Sequence, residues 1–130
     1  MDNTNIVFDH VHIISEDPKS SVDWYVDKLD GKIVNSQEVL GAPQVVVAFG
    51  GATIIVRGRR HGEEVVARKG LGWGTDHFGF RVGGDFDGYC DDLKKKGVTF
   101  SLDPVDFTPE IRIAFIDAPD GLSIELLQRK

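Results

Sequence analysis

The sequence predicts an α+β fold of two tandem β-α-β-β-β modules, and three observations carry that expectation. First, a strand with histidine on one face and apolar residues on the other occurs twice, at Phe8-Asp9-His10-Val11-His12-Ile13 and at Asp76-His77-Phe78-Gly79-Phe80-Arg81. Alternation puts His10 and His12 on one face, with Asp9, Val11 and Ile13 on the other. In the second strand it sets His77, Gly79 and Arg81 against Phe78, Phe80 and Val82. Second, each strand is followed by an apolar stripe at helical spacing that stops at a glycine, Gly31 in one half and Gly97 in the other. Third, the order of elements repeats, so that Ala52–Arg57 stands where Leu122–Leu127 stands in the second half.

Ile6–Ile14 is rich in β-branched residues and reads as a strand. Asp17 suits a helix N-cap and Pro18 the first helical position; Val22, Tyr25, Val26 and Leu29 form the buried stripe. Gly31 is expected to close this helix in the left-handed conformation. Lys32–Leu40 then reads as a strand, Gly41-Ala42-Pro43 as a turn, Gln44–Phe49 as a strand, Gly50-Gly51 as a tight turn and Ala52–Arg57 as a strand. Residues 58–74 have no period. Arg59, Arg60 and His61 follow Arg57 there, with Glu63 and Glu64 beyond, and the stretch reads as a solvated connector or a lid.

In the second half His77–Val82 is a strand. Phe86, Tyr89, Cys90 and Leu93 mark a helix that ends in Lys94-Lys95-Lys96-Gly97, cations at its C-terminus and glycine after it. Val98–Leu102 reads as a strand, the stretch from Asp103 to Pro109 with its two prolines as a loop, Ile111–Ile116 as a strand, Asp117–Gly121 as a turn and Leu122–Gln128 as the last strand. One domain over 1–130 is expected, with module one at about 6–57, a connector at 58–74 and module two at about 75–128. Each module would bury one sheet face under its helix, and the other faces would combine into a cleft.

Composition narrows the partners. With 15 basic against 21 acidic residues the net charge is −6, which disfavours nucleic acid and anionic membrane. The single Cys90 excludes an internal disulfide and a cysteine-based zinc centre, and it fits a reducing, cytoplasmic setting. The start, Met1-Asp2-Asn3-Thr4-Asn5, is polar, and no apolar run has membrane length.

Three residues at matched positions stand out. His10 and His77 open the two modules, and Glu125 lies on the open face of an otherwise apolar last strand, where an ionised carboxylate needs a partner or a metal. Two imidazoles and one carboxylate form a facial set that binds a divalent transition metal and leaves positions open. The alternative is a pair of hydrogen-bonded histidines and a surface carboxylate. His12 shares the face of His10 and reads as a general base, a hydrogen-bond donor to substrate or a packed polar residue. His12 and Glu125 are thus the candidate catalytic groups. Arg57 and Arg81 also have site-facing parity; either holds an anionic substrate group or snorkels to a rim. Trp73 and Phe107 are loop aromatics that parity does not assign.

The sequence resembles the vicinal oxygen chelate superfamily, the glyoxalase/bleomycin resistance/dioxygenase proteins, over Phe8 to Gln128. The motifs that carry the resemblance are Asp9-His10-Val11, Trp24-Tyr25 ahead of Leu29-Asp30-Gly31, Asp76-His77-Phe78-Gly79-Phe80, and the run from Ala114 to Leu126 through Asp117-Ala118-Pro119-Asp120-Gly121. Each is weak alone. In this order they are specific for a fold and a metal site but not for a reaction. The resemblance implies a cup-shaped, half-barrel mixed sheet, a homodimer, and His10, His77 and Glu125 as ligands of one divalent ion, whether Fe, Mn, Ni, Co or Zn. It also implies a fourth ligand, Glu or Gln, in the lyases and epimerases, at the position held here by Ile55. Isoleucine cannot ligate, so the ligand set looks more like that of the extradiol dioxygenases and fosfomycin-modifying enzymes, and Ile55 becomes an apolar wall for substrate.

The expected function is that of a metal-dependent enzyme whose small substrate chelates the ion through vicinal oxygens, leaning to a dioxygenase-type reaction. A glyoxalase- or epimerase-like lyase or isomerase, or a thiol transferase, is the first alternative. A metal-free, bleomycin-resistance-like drug-binding protein is the second.

Overall fold

The computed structural model describes residues 5–130; the polar start, Met1–Thr4, lies outside the described residues. The chain divides at Val66/Ala67 into two compact units. Unit 1 holds β1 (His10–Ile14), α1 (Pro18–Leu29), β2 (Lys32–Val39), β3 (Ala42–Phe49) and β4 (Ala52–Arg57). Its sheet runs β1-β4-β3-β2, with β1 parallel to β4 and the other pairs antiparallel. Unit 2 repeats the plan with β5 (Phe78–Arg81), α2 (Phe86–Lys95), β6 (Phe100–Thr108), β7 (Ile111–Asp117) and β8 (Ser123–Arg129), in the order β5-β8-β7-β6 with β5 parallel to β8. A 3-10 turn, Pro119–Gly121, precedes β8.

The helices form where local chemistry starts and stops them. Asp17 caps α1 by accepting from the Ser20 N–H at 3.1 Å, with Pro18 behind it, and Asp85 caps α2 by accepting from the Gly88 N–H at 3.0 Å. Val22, Tyr25 and Leu29 of α1 are buried, as are Ile13, Val47, Ile54 and Val56 from the sheet; α1 packs on β3 and β4. In unit 2 the buried set is Phe86, Cys90 and Leu93 from α2 with Ala114, Ile116, Ile124 and Leu126 from β7 and β8. Each large side chain so buried contributes about 1.5–3 kcal/mol. Burial pushes the Cys90 thiol up to about 11, so this lone cysteine is a core residue.

Several boundaries differ from the sequence expectation, each for a physical reason. Regular pairing of β1 begins at His10 rather than Ile6, and that of β5 at Phe78 rather than His77. The left-handed residue that ends α1 is Asp30, with φ 58°, not Gly31. Gly31 is needed for space instead: a Cβ there would lie 2.6 Å from Val47 Cγ1. Ala42 and Pro43 belong to β3. The turn is Leu40-Gly41, both with positive φ, as a two-residue hairpin of matching twist requires. The stretch 103–108, expected as loop, continues β6: as the outer strand of its sheet it tolerates Pro104, and its pairing with β7 shifts register three times.

The connector also divides. Residues 58–63 are stitched to unit 1 by Gly58 N–H to Pro43 O, His61 N–H to Leu40 O and side-chain bonds from Arg57 and Arg60, and the His61 ring lies over Gly41. Residues 64–75 are exposed and without regular structure.

Candidate metal and substrate site

Each unit carries the same imidazole arrangement. In unit 1, His10 Nδ1 lies 2.6 Å from Asp9 Oδ2; in unit 2, His77 Nδ1 lies 2.7 Å from Asp76 Oδ2. A carboxylate accepts only, so Nδ1 carries the proton and donates it, which leaves Nε2 as the nitrogen able to present a lone pair. Sequence alternation placed Asp9 on the face away from His10. The aspartates reach their histidines because both precede the regular strand and escape its alternation. The signal was visible as an Asp-His pair opening each module, but its meaning lies in the hydrogen bond.

The sheet register aligns the units. Two residues beyond each histidine, His12 pairs with Ile55 in unit 1 and Gly79 pairs with Glu125 in unit 2. Ile55 therefore holds the position in unit 1 that Glu125 holds in unit 2. A Cβ on Gly79 would lie 3.1 Å from the Glu125 backbone oxygen and 3.3 Å from its Cβ, so the bare glycine lets the two strands pair closely here. Glu125 Oε1 lies 3.2 Å from His77 Nε2. Phe115, opposite Glu125 on β7, packs edge-on against the His77 ring with centroids 4.9 Å apart. Phe115 was not anticipated: an aromatic in an apolar strand gives no sequence sign that it braces the His77 ring.

In unit 2 one pair of donors stands at a spacing compatible with a divalent ion. Two donors about 2.1 Å from one ion at about a right angle stand about 3 Å apart, close to the separation of His77 Nε2 and Glu125 Oε1. The Asp76 hydrogen bond is the first cause of a raised His77 pKa, with burial opposing and Glu125 adding to it. Among the described residues, no group of three or more His, Cys, Asp or Glu side chains is placed to hold a metal ion, and each unit by itself holds part of the expected ligand set.

The remaining sequence candidates fall in different surroundings. His12 is exposed, and its ring stands 6.0 Å from that of His10. Partial burial, then the charges of Arg57, Arg60 and His10, lower its pKa, with Glu63 opposing, so the imidazole is neutral at neutral pH. Arg57 reaches no rim. It is 7% exposed, and its guanidinium grips Glu63. Arg81 is exposed at the end of β5, and Trp73 and Phe107 are exposed as well.

The Glyoxalase/Bleomycin resistance protein/Dioxygenase superfamily model matches residues 7–126. The chain belongs to that superfamily. The glyoxalase-superfamily assignment agrees with the paired β-α-β-β-β units, and solved structures match along nearly the whole chain. A glyoxylase/bleomycin resistance protein/dioxygenase domain from Frankia sp. EAN1pec is 23% identical over 96% of this chain and 98% of its own, with a TM-score of 0.79. TioX from Micromonospora sp. ML1 is 20% identical over 95% of this chain and 99% of its own, with a TM-score of 0.72. A glyoxalase I mutant from Zea mays is 21% identical over 92% of this chain but 43% of its own length, with a TM-score of 0.76. At these identities the likeness is one of fold. No curated protein matches the chain. Among the described residues no helix is long and apolar enough to cross a membrane.

Proposed function

We propose that this glyoxalase-superfamily protein is a divalent-metal-dependent enzyme whose small substrate binds through two neighbouring oxygens, with His10, His77 and Glu125 as the protein ligands. The observation that carries this reading is the repeated Asp–His bond, which fixes Nδ1 as the donor in both units and directs Nε2 of His77 at Glu125. A histidine kept only for packing has no need of an orienting carboxylate at the same place in both halves.

A bound divalent ion, whether Fe, Mn, Ni, Co or Zn, supplies Lewis acidity toward the two substrate oxygens. The chain does the rest. Asp9 and Asp76 hold the Nδ1 protons and fix both rings. Glu125 brings the anionic donor. Ile55 adds no ligand and offers an apolar wall, which favours an aromatic or alkyl substrate and tilts the reading toward dioxygenase-type chemistry. His12, neutral and beside Ile55, can take a proton from the substrate. Arg57 and Arg81 are the candidate anchors for an anionic group. A cytoplasmic homodimer is the setting proposed for the enzyme.

The lyase, isomerase or thiol-transferase reading draws on the same His12, a candidate base for moving a proton on the substrate. The metal-free, drug-binding reading is favoured by Ile55, because an apolar residue at the fourth-ligand position suits ligand contact as well as catalysis.

The test is metal analysis of protein purified without added metal. It is followed by anaerobic loading with each ion and parallel screens of oxygen uptake with catechols and turnover of 2-oxoaldehyde–thiol adducts. Stoichiometric metal with oxygen uptake is expected. Turnover of the thiol adducts alone would move the lyase reading ahead, and failure to bind any of the ions would leave the drug-binding reading.

A further inference from the structure

Unit 1 holds a buried guanidinium, Arg57, to which the function proposed above gives no more than the part of a candidate anchor for an anionic group. Arg57 Nη1 and Nη2 donate to Glu63 Oε1 and Oε2 at 2.6 and 3.0 Å, and the Arg60 backbone N–H donates to Oε1 at 2.8 Å. Three N–H donors thus converge on one carboxylate, in the planar fork geometry that arginine offers to that group. The carboxylate is carried not by the sheet but by the connector, beside Gly62 with φ 79° and ahead of the exposed stretch 64–75.

The cluster has more donors and more positive charge than its occupant satisfies. Arg57 Nε and Arg60 Nε are buried without a hydrogen-bond partner, and Arg60 Nη2 spends its bond on the neutral Gln44 Oε1 at 2.6 Å. Two guanidinium charges therefore face the single charge of Glu63. Buried unpaired N–H groups on a cation are costly, and a site kept only for folding gains nothing from them.

We propose that Arg57 and Arg60 form a binding site for the carboxylate of a small ligand, and that Glu63 is the chain's own occupant, displaced when that ligand enters. Ile55 lies two residues before Arg57 on the same face of β4, with His12 opposite it on β1. A carboxylate on Arg57 accordingly lays its aryl or alkyl part along an apolar wall. The identification of this ligand with the substrate rests on the function proposed above; the site itself does not.

The test is a titration of full-length protein, with and without chelator, followed by the arginine Nε–H resonances in nitrogen-15 spectra. The probes are benzoate, inorganic phosphate and chloride at constant ionic strength. Benzoate is expected to shift the Arg57 resonance saturably and chloride not to. Glu63→Ala, which removes the internal competitor, is expected to tighten benzoate binding by about tenfold if Glu63 holds the site nine-tenths of the time. Glu63→Gln keeps the packing and is expected to act in the same direction should the alanine variant fail to fold. Arg57→Met is expected to abolish the saturable benzoate shift of the Arg60 Nε–H resonance. Benzoate binding no better than chloride, unchanged affinity on removing the Glu63 carboxylate, or phosphate binding more tightly than benzoate would each overturn the proposal. Because the readout needs no metal, a failed metal reading leaves this result standing, and the reverse also holds.

Discussion

Across β1 and β4 of unit 1, His12 stands opposite Ile55; across β5 and β8 of unit 2, Gly79 stands opposite Glu125. The backbone frame is the same and the bulk has changed sides. Unit 2 leaves β5 bare opposite Glu125, whose carboxylate reaches the His77 ring. Unit 1 fills β1 with an imidazole and gives β4 an apolar side chain. What did not change is the Asp–His bond, 2.6 Å in one unit and 2.7 Å in the other. A repeated fold thus keeps the means of orienting a histidine while the residues across from it diverge in chemistry.

The largest effect is expected from Glu125→Ala. It should abolish tight metal binding and any metal-dependent turnover, and wild-type metal content in that variant would remove Glu125 from the ligand set. The shared frame is tested next by Ile54→Ala and Ile124→Ala, which occupy equivalent buried positions at 3% and 0% exposure. Each is expected to cost about 2–5 kcal/mol in denaturant unfolding. A cost well below that range at Ile54 alone would mean that the two cores are not equivalent.

Asp9→Asn and Asp76→Asn keep a hydrogen-bonding side chain but remove its charge. Each is expected to weaken metal affinity by roughly 10–100-fold. An effect at Asp76 without one at Asp9 would show that only the unit 2 histidine ligates. Ile55→Glu makes unit 1 resemble unit 2, and should bind metal more tightly while losing any oxygen-dependent activity. Retained oxygen uptake would show that the position lies outside the site.

The smallest effect concerns Glu63, whose carboxyl is held below the ordinary range first by the Arg57 bonds and then by the Arg60 N–H. A depressed folded pKa contributes stability above the unfolded value and loses it as the pH falls through the folded one. The difference in melting temperature between wild type and Glu63→Gln should therefore shrink on acidification. A gap constant from neutral to acidic pH would argue against the ion pair.

Much of this was legible in the chain because it is local. Period and parity located both helices, seven of the eight strands to within a few residues, and the equivalence of Ile55 with Glu125. What escaped depends on the third dimension or on an exception to alternation. Asp9 was set on the wrong face because β1 starts one residue after it. The Asp103–Pro109 stretch was assigned to a loop because proline argues against a strand, yet an outer strand has no ladder bond to lose on its free side. Arg57 carries the parity of a cleft residue, but the acid that buries it comes from six positions further along an aperiodic segment, where no pattern announces a contact.

The irregular pairing of β6 has a consequence for how the protein can fail. Pro104 and three register shifts interrupt its ladder, and Asp103 and Asp106 are tied up by Lys94, Arg112 and Lys130. Such a strand is a poor template for another chain to add onto. An outer strand of the other sheet, β2, has one shift and carries Ile33 and Val34 at 53% and 59% exposure. Under heat or crowding, the growth of ordered aggregates would therefore nucleate on β2 rather than on β6.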